Sequence, residues 1–528
     1  MPSRSPVRSS IAFALAATLA CLAHAAPARA QGSLIVVKGY AVSGQNPLGA
    51  GHTGRVLAPY LGVPATAEVL RAAQLALEVA LQERGYTHYR VVLPVQTPGE
   101  TIMLDVVPAA LTRIQVQGPR LGRDDVRRAL PELQEGRSPN TQRLARQLAA
   151  ANDHGARRLA VRLIPGPGAD ELHAQVQVQD RPAWGAAAAW ANDGTRATGR
   201  DRLALQLHHH DVAGTGHQLR LGHVTSLDQP GRVQEWRVGY RVPLPRWGAA
   251  FYLAHARTEA ARLSDPWREE WGLAPDAAPG RHSRAGYVQY LATASRLVLE
   301  VADHRYAALE EDGRPRPGPQ RRSQPLTLAY HTGQGRAAGT TDTAGYVEMS
   351  ANLARGEAGD LGAYRGERPE IDTTRWKRLR AGVQLTGDLA GGWAWTLRGQ
   401  AQYSPDPLLA GDAFALGGAG SVRGAPERAR VGDSGLVATL EALTPVVLGG
   451  WRGLAFVDAG ALRNHQPSAA RPEKDRLASV GIGVRYLHPS GARLVADYGR
   501  LVAGSRADLA EAPDKGDDKL HVSLSYTF

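Results

Sequence analysis

The last nine residues, Leu520-His521-Val522-Ser523-Leu524-Ser525-Tyr526-Thr527-Phe528, decide how everything after Ala183 is read. Leu520, Val522, Leu524, Tyr526 and Phe528 alternate with His521, Ser523, Ser525 and Thr527. Successive side chains of a strand point to opposite faces, so one face here is wholly apolar and the other polar. The pattern recurs upstream. Leu297, Leu299 and Val301 flank Glu300; Leu379, Ala381, Val383 and Leu385 alternate with Arg378, Arg380 and Gln384; Val480, Ile482, Val484 and Tyr486 alternate with Ser479, Gly481, Gly483 and Arg485. Alternation of this kind predicts half-buried strands. From Ala183 onward, where helical periodicity ends, it predicts sixteen, at 184–192, 200–211, 216–227, 232–243, 247–258, 282–293, 295–304, 322–332, 344–354, 378–388, 392–403, 433–444, 451–461, 477–488, 492–502 and 518–528.

The connections alternate as well. Short turns such as Gly214-Thr215, Thr293-Ala294 and Pro489-Ser490 separate long segments at 259–281, 305–321, 355–377, 404–432, 462–476 and 503–517. Only 333–343 is long where a short turn is expected. Short turns on one side and long loops on the other, with an apolar face on almost every strand, predict an antiparallel transmembrane β-barrel. An even strand count returns both ends of the barrel to the short-turn side. A soluble all-β protein has no need of that outer face.

Residues 33–179 are a different kind of sequence. Leu34-Ile35-Val36-Val37 predicts a strand, Ala67 to Arg84 a helix with Leu70, Leu77 and Leu81 on one face, and Tyr89 to Pro94 and Thr101 to Val107 two strands. The order then repeats: a strand over Leu111 to Gln117, helices over Arg123 to Leu130 and Thr141 to Asn152, and strands over Arg158 to Ile164 and Glu171 to Gln179, turned by Pro165-Gly166-Pro167-Gly168. Two α+β units of about 75 residues are expected to precede the barrel.

The chain has 528 residues and a formal net charge of +12, with 21% charged and 43% hydrophobic residues. Its arginines are scattered and no nucleic-acid motif is present, so nucleic acid is excluded as a partner. Arg4 and Arg8, an apolar run from Ile11 to about Leu22, and Ala28-Arg29-Ala30 predict a secretory leader over residues 1–30 and a mature chain from Gln31. The run is shorter than the roughly 18–20 apolar residues of a spanning helix. Cys21, the only cysteine, falls inside this leader, so the mature chain is expected to be exported without a disulfide. A mean hydropathy of −0.30 suits a periplasmic protein or a barrel, whose strands average out as polar. Alternation selects the barrel.

One stretch stands apart, Leu416-Gly417-Gly418-Ala419-Gly420-Ser421-Val422-Arg423-Gly424. Glycine tolerates close approaches and unusual backbone angles, so such a segment can enter a narrow space as bare backbone and deliver one charge.

With these residues in view, the chain resembles the two-partner secretion transporters, the haemolysin secretion/activation protein family of the outer-membrane insertase and translocase superfamily. Val42-Ser43-Gly44-Gln45 and Val56-Leu57-Ala58-Pro59-Tyr60-Leu61-Gly62 resemble the start of a first polypeptide-transport-associated (POTRA) domain. Leu144-Ala145-Arg146, Ala151-Asn152-Asp153 and Leu163-Ile164-Pro165-Gly166 resemble the second. Trp190 to Gly199 and Gly214 to Leu221 are similar to the family's first barrel strands, with His217 where Asp is usual. The resemblance implies a leader at 1–30, POTRA domains at 31–108 and 109–182, and a sixteen-stranded barrel at 183–528 in the outer membrane of a Gram-negative bacterium.

It also implies that loop 404–432 folds back into the lumen, with Gly417, Gly418, Val422, Arg423 and Gly424 as its motif. Phe456-Val457-Asp458-Ala459-Gly460 resembles the partner motif on the barrel wall, so Phe456, Asp458 and Gly460 are the wall residues and Asp458 meets the loop arginine. Ala425 stands where the family usually has Tyr or Phe. Phe528 is similar to the terminal aromatic read by the barrel-assembly machinery. Partners implied are outer-membrane lipid and a secreted polypeptide of the adhesin, haemolysin or toxin class. The family's extra N-terminal plug helix is expected to be missing, because a strand is predicted so soon after Gln31. An insertase, whose relatives carry three to five POTRA units, and a passive porin, which carries none, are the alternatives.

Other signals are weaker. Gly49-x-Gly51-x-x-Gly54 has dinucleotide-fingerprint spacing but falls well past the strand with no parallel unit after it, and is read as a loop. Of His208, His209 and His210, only the first and third share a strand face, and with Asp211 they are read as a strand end at the interface, not a metal site. No hydrolase, zinc-protease or P-loop motif occurs; neither enzymatic activity nor a cofactor is expected.

Overall fold

The computed structural model describes residues 35–528 apart from 97–98, 119–121, 154, 195–198, 259–278, 293, 308–309, 312–313, 316–319, 335–340 and 448. The expected leader and residues 31–34 lie outside the described residues, as does most of the turn within 333–343. The chain forms two compact units, one from residues up to Val79 and Val91–Val106, the other from Ala80–Arg90 and Val107–Phe528.

The first α+β element set holds a three-stranded sheet with Thr101–Pro108 between Gly39–Gly44 and Tyr89–Val92. Gly39–Gly44 runs parallel to Thr101–Val106. The strand expected over Leu34 to Val37 is therefore displaced: Val36 makes only an isolated bridge to Pro64, and the ladder begins at Gly39. A second correction concerns the glycine triplet read as a loop. Gly49 caps, and Gly51 and Gly54 lie within, the helix Ala50–Leu57, where nothing crowds the missing Cβ atoms and Thr53 and Leu57 form the buried face. The helix Ala67–Glu83 follows the expected face, with Leu77 and Leu81 fully buried.

The second set repeats the plan. Glu171–Asp180 lies between Ala110–Gln117, parallel to it, and Arg157–Pro165, antiparallel. Leu111, Ile114, Val126, Leu130 and Leu144 close its core. The helix Thr141–Asn152 starts where the Asn140 side chain accepts the N–H of Arg143 at 3.0 Å, a standard way to satisfy an orphan donor. Its far end packs Ala149 and Ala150 against Ala250, Val288 and Tyr290 of the barrel. Asp153 pairs with Arg241 and Tyr290, and Arg157 meets Asp211 at 2.5 Å. The His208 and His210 rings stand 4.4 Å apart at this junction, and among the described residues no group of three or more His, Cys, Asp or Glu side chains could hold a metal.

The sixteen predicted strands are present, each within about three residues of its expected ends: Trp184–Ala191, Arg202–Val212, His217–Ser226, Gln234–Leu244, Ala249–Thr258, Gly280–Ala292, Ser295–Tyr306, Arg321–Ser323 continued by Pro325–Gln334, Asp342–Asn352, Lys377–Asp388, Ala394–Tyr403, Ser434–Leu443, Trp451–Arg463, Lys474–Leu487, Ala492–Ala503 and Asp518–Thr527. They are numbered one to sixteen below. Strand eight is interrupted because Pro325 has no N–H to donate to a ladder. The sheet closes where strand sixteen pairs antiparallel with strand one, Thr527 opposite Ala187 through Ser523 opposite Ala191.

Alternation sorts the wall as expected. Leu205, Leu253, Leu299, Leu328, Leu436, Val457 and Ile482 are exposed on the outside, which lipid accommodates and water does not. Trp184, Trp247, Trp393, Trp451 and Phe528 are exposed at the short-turn rim, the pattern of an interfacial aromatic belt. The helix Leu361–Glu367 in the loop between strands nine and ten was not foreseen either; it is started by the Asp360 side chain, which accepts the Ala363 N–H at 2.7 Å, and buried through Ala363 and Tyr364. It is too short to show a period of its own.

Candidate functional site: the lumen loop and its seat

The segment between strands eleven and twelve folds back inside the barrel. Phe414–Leu416 and Arg430–Gly432 pair as a short hairpin, and the glycine-rich stretch forms the tip beyond it. Gly417, Gly418 and Gly424 have φ of 104°, 98° and 94°, in the region that glycine adopts without strain. At Gly424 the need is also spatial: a Cβ would fall 2.9 Å from the backbone of Gly499 on strand fifteen.

This close approach brings Arg423 to the wall with only 2% of its surface exposed. Its Nε donates to Asp458 Oδ2 at 2.9 Å and its Nη2 to Asp458 Oδ1 at 2.8 Å. Two parallel charge-assisted bonds of this kind fix orientation as well as energy. The Arg423 backbone N–H donates to the same Oδ2 at 3.0 Å, and Ser479 Oγ lies 3.4 Å from it. Phe456, on the same strand as Asp458, presents its ring 3.4 Å from the guanidinium carbon, a cation–π contact. Gly460 makes room for the loop: a Cβ there would lie 2.5 Å from Leu416.

Two further carboxylates complete the seat. Arg423 Nη1 donates to Glu441 Oε1 at 2.7 Å and to Asp497 Oδ2 at 3.3 Å. Glu441 also accepts from Arg398 at 2.7 Å, and Asp497 accepts both arms of Arg485 at 2.6 and 2.9 Å. Three guanidinium groups thus share three carboxylates, so no charge is buried alone, the condition under which burying ions is tolerable. The Gly424 N–H donates to His521 Nε2 at 3.2 Å. Glu441, Asp497, Arg398, Arg485 and His521 were not singled out from the sequence. The inward parity of Glu441, between outward Leu440 and Ala442, was the available signal.

Val422 is fully buried and joins Ala425, Leu416, Leu477 and Leu501 in one apolar cluster. Ala425 is itself fully buried. Leu477 and Leu501 of that cluster come from strands fourteen and fifteen of the wall. Phe528 sits at the opposite rim, its N–H donating to Ala186 O at 2.8 Å and its ring 4.6 Å from that of Tyr526. Against the latch lies a cavity of about 490 Å³, bounded by Arg423, Glu441, Asp497 and His521 and by Arg452 and Arg493 nearer the short-turn side. Its lining mixes these charged groups with apolar side chains such as Leu443, Leu487 and Val495.

The loop base is anchored separately. Arg368, just after the helix Leu361–Glu367, donates to both oxygens of Asp433 at 2.6 and 3.1 Å. Asp433 also accepts the N–H groups of Leu408 and His465, each at 2.8 Å. Arg430 of the hairpin meets Asp475 at 2.7 Å.

Comparison with known proteins agrees with this architecture. The model of the haemolysin secretion/activation protein family ShlB/FhaC/HecB matches residues 337–486, a stretch that contains Arg423, Glu441 and Asp458. The fold resembles CdiB from Escherichia coli, with a TM-score of 0.69 and 16% identity over 96% of this chain and 93% of that one. It also resembles CdiB from Acinetobacter baumannii, with a TM-score of 0.68 and 15% identity over 94% and 90% of the two chains. A search of the curated proteins returns no match. The family match thus spans both the lumen motif and its wall seat, and what this chain shares with the two CdiB structures is the fold.

Proposed function

We propose that the protein carries an unfolded exported partner polypeptide from the periplasm through its barrel to the cell surface, with the Arg423–Asp458 latch holding the lumen loop in its resting position. The observation that carries this reading is the buried bidentate pair between a loop arginine and a wall carboxylate. A loop so held occupies the lumen, so passage of a chain requires that it shift. Glu441 and Asp497, which already share Arg423 with Asp458, keep a carboxylate within its reach during that shift, which keeps the cost of moving a buried charge low. The cavity beside it carries the charges of Arg423, Glu441, Asp497, Arg452 and Arg493 among its lining.

In this reading residues 1–30 are the leader, 31–108 and 109–182 the two POTRA domains and 183–528 the barrel, with 404–432 as the moving loop. Arg157–Pro165 is an edge strand of the second sheet. An extended peptide can add to such an edge through backbone hydrogen bonds, a mode that needs little side-chain specificity. The secreted partner is of the adhesin, haemolysin or toxin class, and Phe528 is the signal for the barrel-assembly machinery. The family is one of transporters and not an enzyme class.

The test is surface delivery of the cognate secreted chain by Arg423→Ala and Asp458→Ala, with heat-modifiable mobility as the control for barrel assembly. Loss of delivery at normal barrel levels is expected. Normal delivery by both variants would sink the latch. Crosslinking of the secreted chain to the edge Arg157–Pro165 separates a translocator from an insertase.

A further inference from the structure

We propose that the lipid-facing wall of strands ten to fourteen, at its cell-surface rim, is a binding site for a phosphorylated glycolipid of the outer leaflet. The inference depends on the membrane location and not on translocation. An apolar groove of about 550 Å³ runs down the outside of these strands over Leu379, Tyr403, Leu436 and Ala461. Its loop-side end is ringed by exposed cations: Arg463 at the end of strand thirteen, Lys474 and Arg476 at the start of strand fourteen, and Arg506 from the next loop.

The cations are placed against their own interest. Arg463 and Lys474 are directly opposite in the ladder, and Arg476 follows on the same outward face, opposite Ala461. Like charges directly opposite each other across two strands repel. Glu473 stands 3.7 Å from Arg463 and offsets one charge. Among the described residues Lys474, Arg476 and Arg506 make no ion pair. Asp475, between the two strand-fourteen cations, faces inward and is taken by Arg430 at 2.7 Å and Ser505 at 2.8 Å. Its other oxygen accepts the Arg506 N–H at 2.8 Å, which fixes that residue beside the strand.

An anion at the rim relieves this repulsion, and the groove below it asks for acyl chains. A ligand with phosphate at one end and several hydrocarbon chains at the other satisfies both. Arginine forks match phosphate oxygens in pairs, and each surface cation contributes to anionic headgroup attraction. The lipid whose headgroup sits at that height of the outer membrane and carries phosphate is the glycolipid anchor of lipopolysaccharide.

The experiment is native mass spectrometry of the full-length protein in neutral detergent, titrated with bis-phosphorylated lipid A, with dephosphorylated lipid A and with inorganic phosphate. Lipid A is expected to bind at least about tenfold more tightly than its dephosphorylated form. Lys474→Glu/Arg476→Glu/Arg506→Glu is expected to lose that preference while keeping heat-modifiable mobility. Equal binding of the two lipids, an unchanged preference in the triple variant, or inorganic phosphate competing as well as lipid A each overturns the proposal. The wild-type headgroup comparison decides the matter even if the triple variant fails to assemble.

Discussion

Gly424 at the tip of the lumen loop and Gly499 on strand fifteen lie backbone against backbone: a Cβ on Gly499 would stand 2.7 Å from the Arg423 carbonyl carbon and the Gly424 nitrogen. Neither neighbour is a side-chain end that can swing away. The tip can therefore reach its seat only while both positions lack a side chain. Gly499→Ala is expected to expel the tip at the usual overpacking cost of about 1–3 kcal/mol, a drop in docked population of about tenfold or more. The ladder of strand fifteen is untouched, so heat-modifiable mobility stays while protease cleavage within 416–429 and secretion change. Retention of protease resistance would show that the contact is not what seats the tip.

The latch arginine should not tolerate lysine. Arg423 divides its donors between Asp458 on one side and Glu441 and Asp497 on the other. A lysine ammonium keeps the charge but cannot span that fan. Arg423→Lys is expected to lie between wild type and Arg423→Ala in secretion. Arg423→Ala leaves the buried Asp458 carboxylate without its guanidinium, which costs about 3–5 kcal/mol. In the double variant with Asp458→Ala the two effects should fall well short of additive, read as barrel thermal stability; full additivity would mean that the pair is not coupled.

How much of this was legible in the residues follows from what each residue faces. The strands were legible because lipid imposes a period of two on every one of them, as in Leu520 to Phe528. Two of the short helices were not. Ala50–Leu57 is hidden by three glycines that read as a turn, and Leu361–Glu367 is shorter than two helical turns. Arg423 and Asp458 are visible as motifs. Glu441 and Asp497 are visible only as inward-facing acids, and which of these meets Arg423 depends on the stagger of strands twelve, thirteen and fifteen around the barrel, which no single strand encodes. Ala425 looked like a missing contact, but Leu477 and Leu501 fill its surroundings from the wall.

Closure of the barrel depends on a side chain that imitates backbone. Asn192, one residue past the end of strand one, accepts the Val522 N–H through Oδ1 at 2.8 Å and donates through Nδ2 to Leu520 O at 2.8 Å. It thereby extends a seam in which only five residue pairs, Ala187–Ala191 with Ser523–Thr527, are in register. Asn192→Ala is expected to remove two hydrogen bonds of about 1 kcal/mol each and to lower the temperature at which the folded band converts to the unfolded one. Asn192→Asp keeps the acceptor but loses the donor, so its effect should be smaller at the Val522 end and present at the Leu520 end. Hydrogen exchange at Val522 distinguishes the two.

The last expectation concerns the cell-surface mouth. Tyr364, Ile371 and Trp376 from the loop between strands nine and ten form one buried cluster with Leu408, Leu409 and Ala413 of the lumen loop and with Tyr306 of strand seven. Arg368 binds this cap to Asp433 at the foot of the loop, and both side chains are almost fully buried. Removing the guanidinium leaves Asp433 buried with only the Leu408 and His465 N–H groups, so Arg368→Ala should free the cap rather than the latch, since Arg423 and Asp458 make no contact with it. Conductance in planar bilayers and uptake of a large antibiotic should rise, while the protease resistance of the tip at 416–429 stays as in wild type. Asp433→Asn keeps the Leu408 contact and is expected to open the mouth less. Unchanged conductance in Arg368→Ala would mean that the lumen loop alone closes the pore.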